Sequence, residues 1–247
     1  MDFNDIEFIK RQFNSVAKSQ RSQINSIIAA ITIMENAELQ SEEMKAELAY
    51  SSCKLLTQNM NLSYLCSDEL FLAPKYTLNL KEILEVIITE CSRLLEPVKR
   101  EIQLQIDGEP YVKINEKSLT IVIMNLLQNA LLHSLDKSAV KVSLSCDEDF
   151  ACISFTNLST LERWTPPEES TGTGISLCMK VAQYNSGRLS YSEEAGTVNA
   201  KLYLPIEKTA VLPLCADFSA DFADYICERF KPVNLFITEV LHELKRR

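Results

Sequence analysis

What this chain lacks narrows its chemistry before any motif is read. It has only two histidines, His133 and His242, so the N-terminal half carries no imidazole at all. No apolar run is long enough for a membrane span, and the N-terminus, MDFNDIEFIKRQ, is charged where a signal peptide would be apolar. A soluble, cytoplasmic protein without membrane insertion is the expectation. The eight cysteines show neither CxxC nor Cys/His ligand spacing and sit in apolar patterns. Packed, reduced thiols are expected of them, not a disulfide framework or a zinc site. Positive charge is scarce too: the formal net charge is −9, and no basic stripe is present to neutralise phosphates, which argues against a nucleic-acid partner.

What is present is a globular composition, 46% apolar over 247 residues, and one unusual stretch. From Leu119 to Ser134 the text is LTIVIMNLLQNALLHS. Leu119, Val122, Ile123, Leu126, Leu127, Ala130 and Leu131 form one helical stripe that should face a core. Asn125, Asn129 and His133 recur at i, i+4 along another strip. Asparagine disfavours helix interiors because its side chain competes for backbone hydrogen bonds. Two of them one turn apart in so apolar a helix are either satisfied amides or functional ones.

The flanking patterns give an order of elements. Phe13, Val16, Gln20, Ile24, Ile27, Ile31 and Met34 form a heptad-like seam. After a break at Asn36 to Ser41, a second helix carries Met44, Leu48, Leu55, Leu62 and Leu65. Such a hairpin buries too little alone and is expected to dimerise into a four-helix bundle, the alternative being a hairpin folded back on its own domain. Residues 78–97 read as a helix. Ile102 to Ile106 alternate as a strand that turns at Asp107-Gly108, with Tyr111 to Ile114 expected as its hairpin partner. Val140 to Leu144 and Ala151 to Phe155 are further strands, and Ile175 to Tyr184 is a helix. At the C-terminus, Ala210 to Cys215 read as a strand and Phe222 to Phe230 as a helix. A last helix, Asn234 to Lys245, has an apolar side for docking, and His242 near its end suits a helix C-terminus.

NLLQNALLHS resembles the N-box of the GHKL ATPases, the superfamily of sensor histidine kinases and anti-sigma-factor kinases, whose pattern reads NLLxNAxx(H/Y). The resemblance implies that Asn129 offers an amide oxygen to the Mg²⁺ carried by ATP, a hard cation that takes oxygen ligands. It places Asn125 near the phosphates and His133 beside the nucleotide. A second stretch, STGTGISLCMKVAQYNSGRLSYSEEAGTVNAKLYLP, is similar to the glycine box and closing strands of the same domain. There Gly172, Thr173 and Gly174 open a helix whose free amides and dipole suit an anion, and Gly187, Gly196 and Thr197 match later positions. The implied fold is α+β: a dimerising helical hairpin, then a GHKL-type α/β sandwich with a mixed sheet covered by helices on one face. The implied boundaries are 1–70 for the hairpin, 71–205 for the ATP-binding domain and 206–247 for a C-terminal extension.

The departures from the pattern matter as much. Laying RSQINSIIAAI on the phosphoacceptor motif of histidine kinases puts Lys18 where the histidine belongs and Ser19 on the acidic residue after it. An ammonium does not replace a nucleophilic imidazole at neutral pH. Asn157 stands in place of the aspartate that receives the adenine amino group, keeping an acceptor oxygen but gaining a donor and losing charge. The segment between the boxes is short and has no mobile glycine-rich stretch; its Trp164 either stacks on adenine or packs. Leu132 falls where a phosphate-contacting lysine often occurs. The reading that follows is a degenerate histidine-kinase-like signalling protein, a homodimer, with ATP and Mg²⁺ as ligands and a response regulator or other signalling protein as partner. The alternatives are a kinase that phosphorylates a partner in trans, a two-component sensor kinase core, and a phosphotransferase-like module whose GHKL domain has lost nucleotide altogether.

Overall fold

The computed structural model describes residues 42–66, 72–135, 138–159, 173–208 and 232–245. The first arm of the expected hairpin, Trp164, Gly172, and the strand and helix expected between 210 and 230 lie outside these residues. The elements in chain order are α1 (Glu42–Cys66), β1 (Tyr76–Asn79), α2 (Leu80–Leu95), a 3₁₀ turn (Glu96–Val98), β2 (Ile102–Ile106), β3 (Tyr111–Ile114) and α3 (Glu116–His133). They continue with β4 (Val140–Cys146), β5 (Phe150–Leu158), α4 (Thr173–Tyr184), β6 (Arg188–Glu194), β7 (Thr197–Pro205) and α5 (Pro232–Lys245).

Local chemistry sets the boundaries. The expected helix over 78–97 begins at Leu80, because Tyr76–Asn79 is a strand and the Asn79 side chain caps the helix by accepting from the Lys81 and Glu82 amides. Its apolar face, Leu80, Ile83, Leu84, Ile87, Ile88, Cys91 and Leu95, is buried throughout. Asn115 caps α3 in the same way through the Ser118 amide. At the other end of α3, the buried Arg100 guanidinium donates to the Ser134 hydroxyl, placing positive charge where the helix dipole favours it.

The main sheet has five strands in the order β2-β4-β5-β7-β6. It is mixed: β2 runs parallel to β4, and the other pairs are antiparallel. The hairpin expected between β2 and β3 does not form. β3 instead pairs with β1 in a separate two-stranded ribbon. The reason lies in the connection: the Asp107 amide goes to Leu144 O at 2.8 Å and the Pro110 carbonyl accepts from Leu80 at 3.1 Å. The first bond carries β2 on along β4, and the second draws the following residues to the start of α2.

Helices α2, α3 and α4 line the core with the sheet, and α1 and α5 pack on them and on each other as a further helical layer. α3 is consequently buried on nearly every side. Ser118 through Gln128 are buried without interruption, followed by Ala130 and Leu131. Docking of the last helix, expected from its apolar side, is found: Val233, Phe236, Ile237 and Val240 are fully enclosed. The face of α1 turned inward is not its leucine stripe. Tyr50, Ser51, Thr57, Asn61 and Tyr64 are buried, while Leu48, Leu55 and Leu62 are half-buried. Polar partners explain the choice. The Tyr50 hydroxyl donates to Glu243, its ring stacks on His242 with centroids 4.3 Å apart, and Lys180 Nζ donates to Leu65 O at 2.9 Å. His242 also meets the Glu47 carboxylate at 3.0 Å.

Between α3 and α5, Gln128 Nε2 donates to Glu239 Oε2 at 3.0 Å. Glu239 is buried, and its carboxyl is held above the ordinary 4.5 chiefly by that burial, with the Lys54 ammonium and the Gln128 bond opposing. The folded state therefore binds this proton more tightly than the unfolded chain does. The stability it contributes is complete below about pH 4.5 and is lost as pH rises through the folded value. Glu239→Gln, a neutral isostere, should raise stability at pH 7 by about 1 kcal/mol and leave it unchanged at pH 4. Urea denaturation at the two pH values measures this, and an equal effect at both would show that the carboxyl's charge is not the cause.

Candidate functional site

The three polar residues of α3 part company in space. Asn125 is 3% exposed and turned to α1. Its Nδ2 donates to Ile121 O at 2.9 Å and to Asn61 Oδ1 at 3.2 Å, and its Oδ1 accepts from Asn61 Nδ2 at 2.9 Å. One turn on, the half-buried Asn129 turns toward β6, where it approaches the Tyr191 hydroxyl without closing a full hydrogen bond. His133 is exposed at the helix end. The geometry of the helix accounts for the divergence, because each four-residue step turns the side chain by about 40°.

The start of α4 meets α3 at Asn125. A Cβ on Gly174 would stand 2.3 Å from Asn125 Oδ1 and 3.6 Å from Asn61 Nδ2, so any side chain there would have to displace the Asn125 amide. Thr173 beside it is buried, and Cys178 one turn along contacts Val122 O at 3.8 Å. Leu132, where a phosphate-contacting lysine would stand, packs against the core.

A second group gathers at one end of β5 and β7. Asn157 pairs with Val198 and Leu158 with Thr197, and the Ser159 amide donates to Gly196 O at 2.7 Å. Ala195 and Gly196 both have positive φ, 50° and 78°, as a tight turn between β6 and β7 requires. Tyr191, Ala200 and Phe155 form a row across β6, β7 and β5. Asn157 lies two residues beyond Phe155 on the same face, about 7 Å along the strand. It is 4% exposed, and its Nδ2 has no partner. The Tyr191 hydroxyl is also buried without a full partner, and burial drives its phenol well above the usual range. Two unsatisfied polar atoms on one core-facing side are costly and rare. An amide there presents a donor and an acceptor side by side, the pattern that reads the edge of adenine.

The structure thus brings Asn125 to Gly174 and sets Thr197 one register step from Asn157 across β5 and β7, with Asn129 directed at the neighbouring tyrosine. Sequence reasoning missed Asn61, Tyr191 and the Gln128–Glu239 pair. The signal for Asn61 was available, since Tyr50, Thr57, Asn61 and Tyr64 repeat at sevens, fours and threes along α1. Among the described residues, no three His, Cys, Asp or Glu side chains converge as a metal site, and no cysteine is in a disulfide. No described helix is long and apolar enough to cross a membrane. A cleft of about 300 Å³ lined by Lys75, Lys113, Tyr184 and Glu207 sits at the opposite end of α4. It includes none of the residues singled out from the sequence.

No family model matches the chain, and no curated protein does. Solved structures do. The histidine kinase AdeS of Acinetobacter baumannii superposes with a TM-score of 0.62 at 15% identity, covering 76% of this chain and 96% of that one. ThkA, in complex with the response regulator protein TrrA, gives 0.61 at 17% identity over 83% of this chain and 64% of its own. Full-length ShkA in complex with AMPPNP gives 0.55 at 14% identity over 82% and 47%. The chain has the fold of a sensor histidine kinase catalytic core, an architecture of kinase-type signalling proteins. The expected α+β class with a mixed sheet is the one observed.

Gly174→Ala should lower stability by about 1–3 kcal/mol, because the new methyl must displace the Asn125 amide from Asn61. Thermal denaturation measures it, and an unchanged melting temperature would show that the close contact is not there.

Proposed function

We propose that the protein is a histidine-kinase-like signalling protein that binds ATP with Mg²⁺ and regulates a partner without phosphorylating a histidine of its own. The observation that carries the nucleotide reading is the pair of buried, unsatisfied polar atoms, Asn157 Nδ2 and the Tyr191 hydroxyl, on one side of the sheet. Asn157 would hold the adenine edge, donating through Nδ2 and accepting through Oδ1. Asn129, beside Tyr191, would give its amide oxygen to the metal. The segment from Gly172 to Gly174 and the first amides of α4 would face the phosphates, with Thr197 and His133 at the margins. Bound ATP would bring a phosphoryl group activated by its metal. The residues of this chain would bind and orient it, which is most of what such chemistry asks of a protein.

The missing acceptor supports the regulatory half of the reading. Lys18 and Ser19 stand where a histidine and its acidic neighbour belong. The likeness to a kinase solved together with a response regulator protein supports a partner of that kind. In this reading residues 1–70 dimerise the protein in the cytoplasm, 71–205 hold the nucleotide, and 206–247 extend the domain.

ATP titration with and without Mg²⁺ tests the assignment. Asn129→Ala should weaken binding about tenfold with the metal and little without it; equal losses would remove Asn129 from the metal. Incubation with labelled ATP should leave no acid-labile phosphate on the chain, and label on His133 or His242 would make it an autokinase after all.

A further inference from the structure

The reciprocal Asn61–Asn125 pair is the part of the site that the nucleotide reading leaves unexplained. Asn125 has two amide hydrogens, and both are used: one by Ile121 O within its own helix, the other by Asn61 Oδ1. Its oxygen receives Asn61 Nδ2 and occupies the space that a side chain on Gly174 would need. At 3% and 4% exposure, neither side chain presents its amide to solvent. Asn125 therefore cannot donate to a phosphate oxygen in this arrangement. To do so it must give up Ile121 O or Asn61, and Asn61 is the partner that a movement of α1 removes.

Asn61 does not stand alone in holding α1 down. Lys180 of α4 donates to Leu65 O in the last turn of α1, a cation at the negative end of a helix dipole. Tyr50, at the other end of the buried face, is fixed by Glu243 and the His242 ring. α1 is thus fastened at one end to α4 beneath it and at the other to α5 beside it, and Asn61, near the Lys180 end, bonds it to α3. α4 takes part twice, through Gly174 at its start and Lys180 two turns later.

We propose that Asn61 is a latch on the nucleotide site: α1, when seated, holds the Asn125 amide for itself, and nucleotide that recruits Asn125 unseats α1. The proposal rests on the nucleotide reading given above. It adds that the N-terminal helix and ATP compete for one side chain, so that each reports on the other. Linkage makes the coupling reciprocal: whatever factor a released α1 adds to nucleotide affinity, nucleotide adds to the release of α1. A sensor or partner that grips α1 would then change nucleotide occupancy without touching the site.

Two variants of the full chain test this. Asn61→Ala frees Asn125 directly. Lys180→Ala loosens the seat of α1 without altering the amide pair, and it decides the matter if Asn61→Ala fails to fold by circular dichroism. Titration with a fluorescent ATP analogue and Mg²⁺ should show each variant binding about tenfold more tightly than the parent chain. Amide hydrogen exchange over residues 50–65 should rise when Mg²⁺-ATP is added to the parent chain, and change little in Asn61→Ala, where α1 is already released. Unchanged or weaker binding by the variants, with no response of α1 to nucleotide, would overturn the latch and leave the nucleotide reading standing. If neither the parent nor a variant with a demonstrably released α1 binds the analogue, the nucleotide reading fails, and the latch falls with it.

Discussion

The structure depends on one constraint, the burial of α3 from both sides. A helix that touches only a sheet can leave its outer face polar and wet. α3 cannot, because Thr120, Ile121, Met124, Asn125 and Gln128 are enclosed along with the residues that face the sheet. Its apolar outer residues gain from that burial, but its two amides lose water and must be repaid with hydrogen bonds. Asn61 of α1 satisfies one and Glu239 of α5 the other. The outer layer is therefore chosen for its polar groups as much as for its apolar ones. α1 accordingly turns Tyr50, Thr57, Asn61 and Tyr64 inward and leaves its leucine stripe half-buried.

This explains what was legible in the sequence and what was not. The sheet strands and α2 follow from alternation and 3.6-residue periodicity, and the capping asparagines Asn79 and Asn115 fix two starts. The similarity to histidine kinases is carried by two short boxes, and the overall architecture agrees with it. The pairing of β3 was missed because periodicity marks a strand without naming its neighbour. Asp107-Gly108 looked like a hairpin turn, yet its backbone is claimed by β4. The positions of Asn125 and Asn129 were legible as one strip on a straight helix. What that pattern omits is the slow rotation of the strip and the presence of a second layer, which sends one amide to α1 and the other toward β6.

Polar satisfaction is uneven across this interior. Both amide hydrogens of Asn125 are taken up by protein. Asn157 Nδ2 and the Tyr191 hydroxyl have no full partner, and neither have the buried hydroxyls of Thr57 and Thr120. Each such group costs stability in a packed interior. Of the residues singled out from the sequence, Leu132 packs against the core, while Asn157 is buried with its Nδ2 unpartnered.

The contact between α1 and α5 has a consequence for how the chain is made. Tyr50 and Glu243 lie 193 positions apart, and Glu47 and His242 lie 195 apart. On the ribosome, the sheet and its inner helices emerge long before α5 does, and domains begin to fold as they emerge. Throughout that interval Ile121, Met124 and Gln128 have no cover from the C-terminal side. The fourteen residues of α5 thus act as a closing seal, and a chain cut short of them would leave the apolar flank they cover exposed.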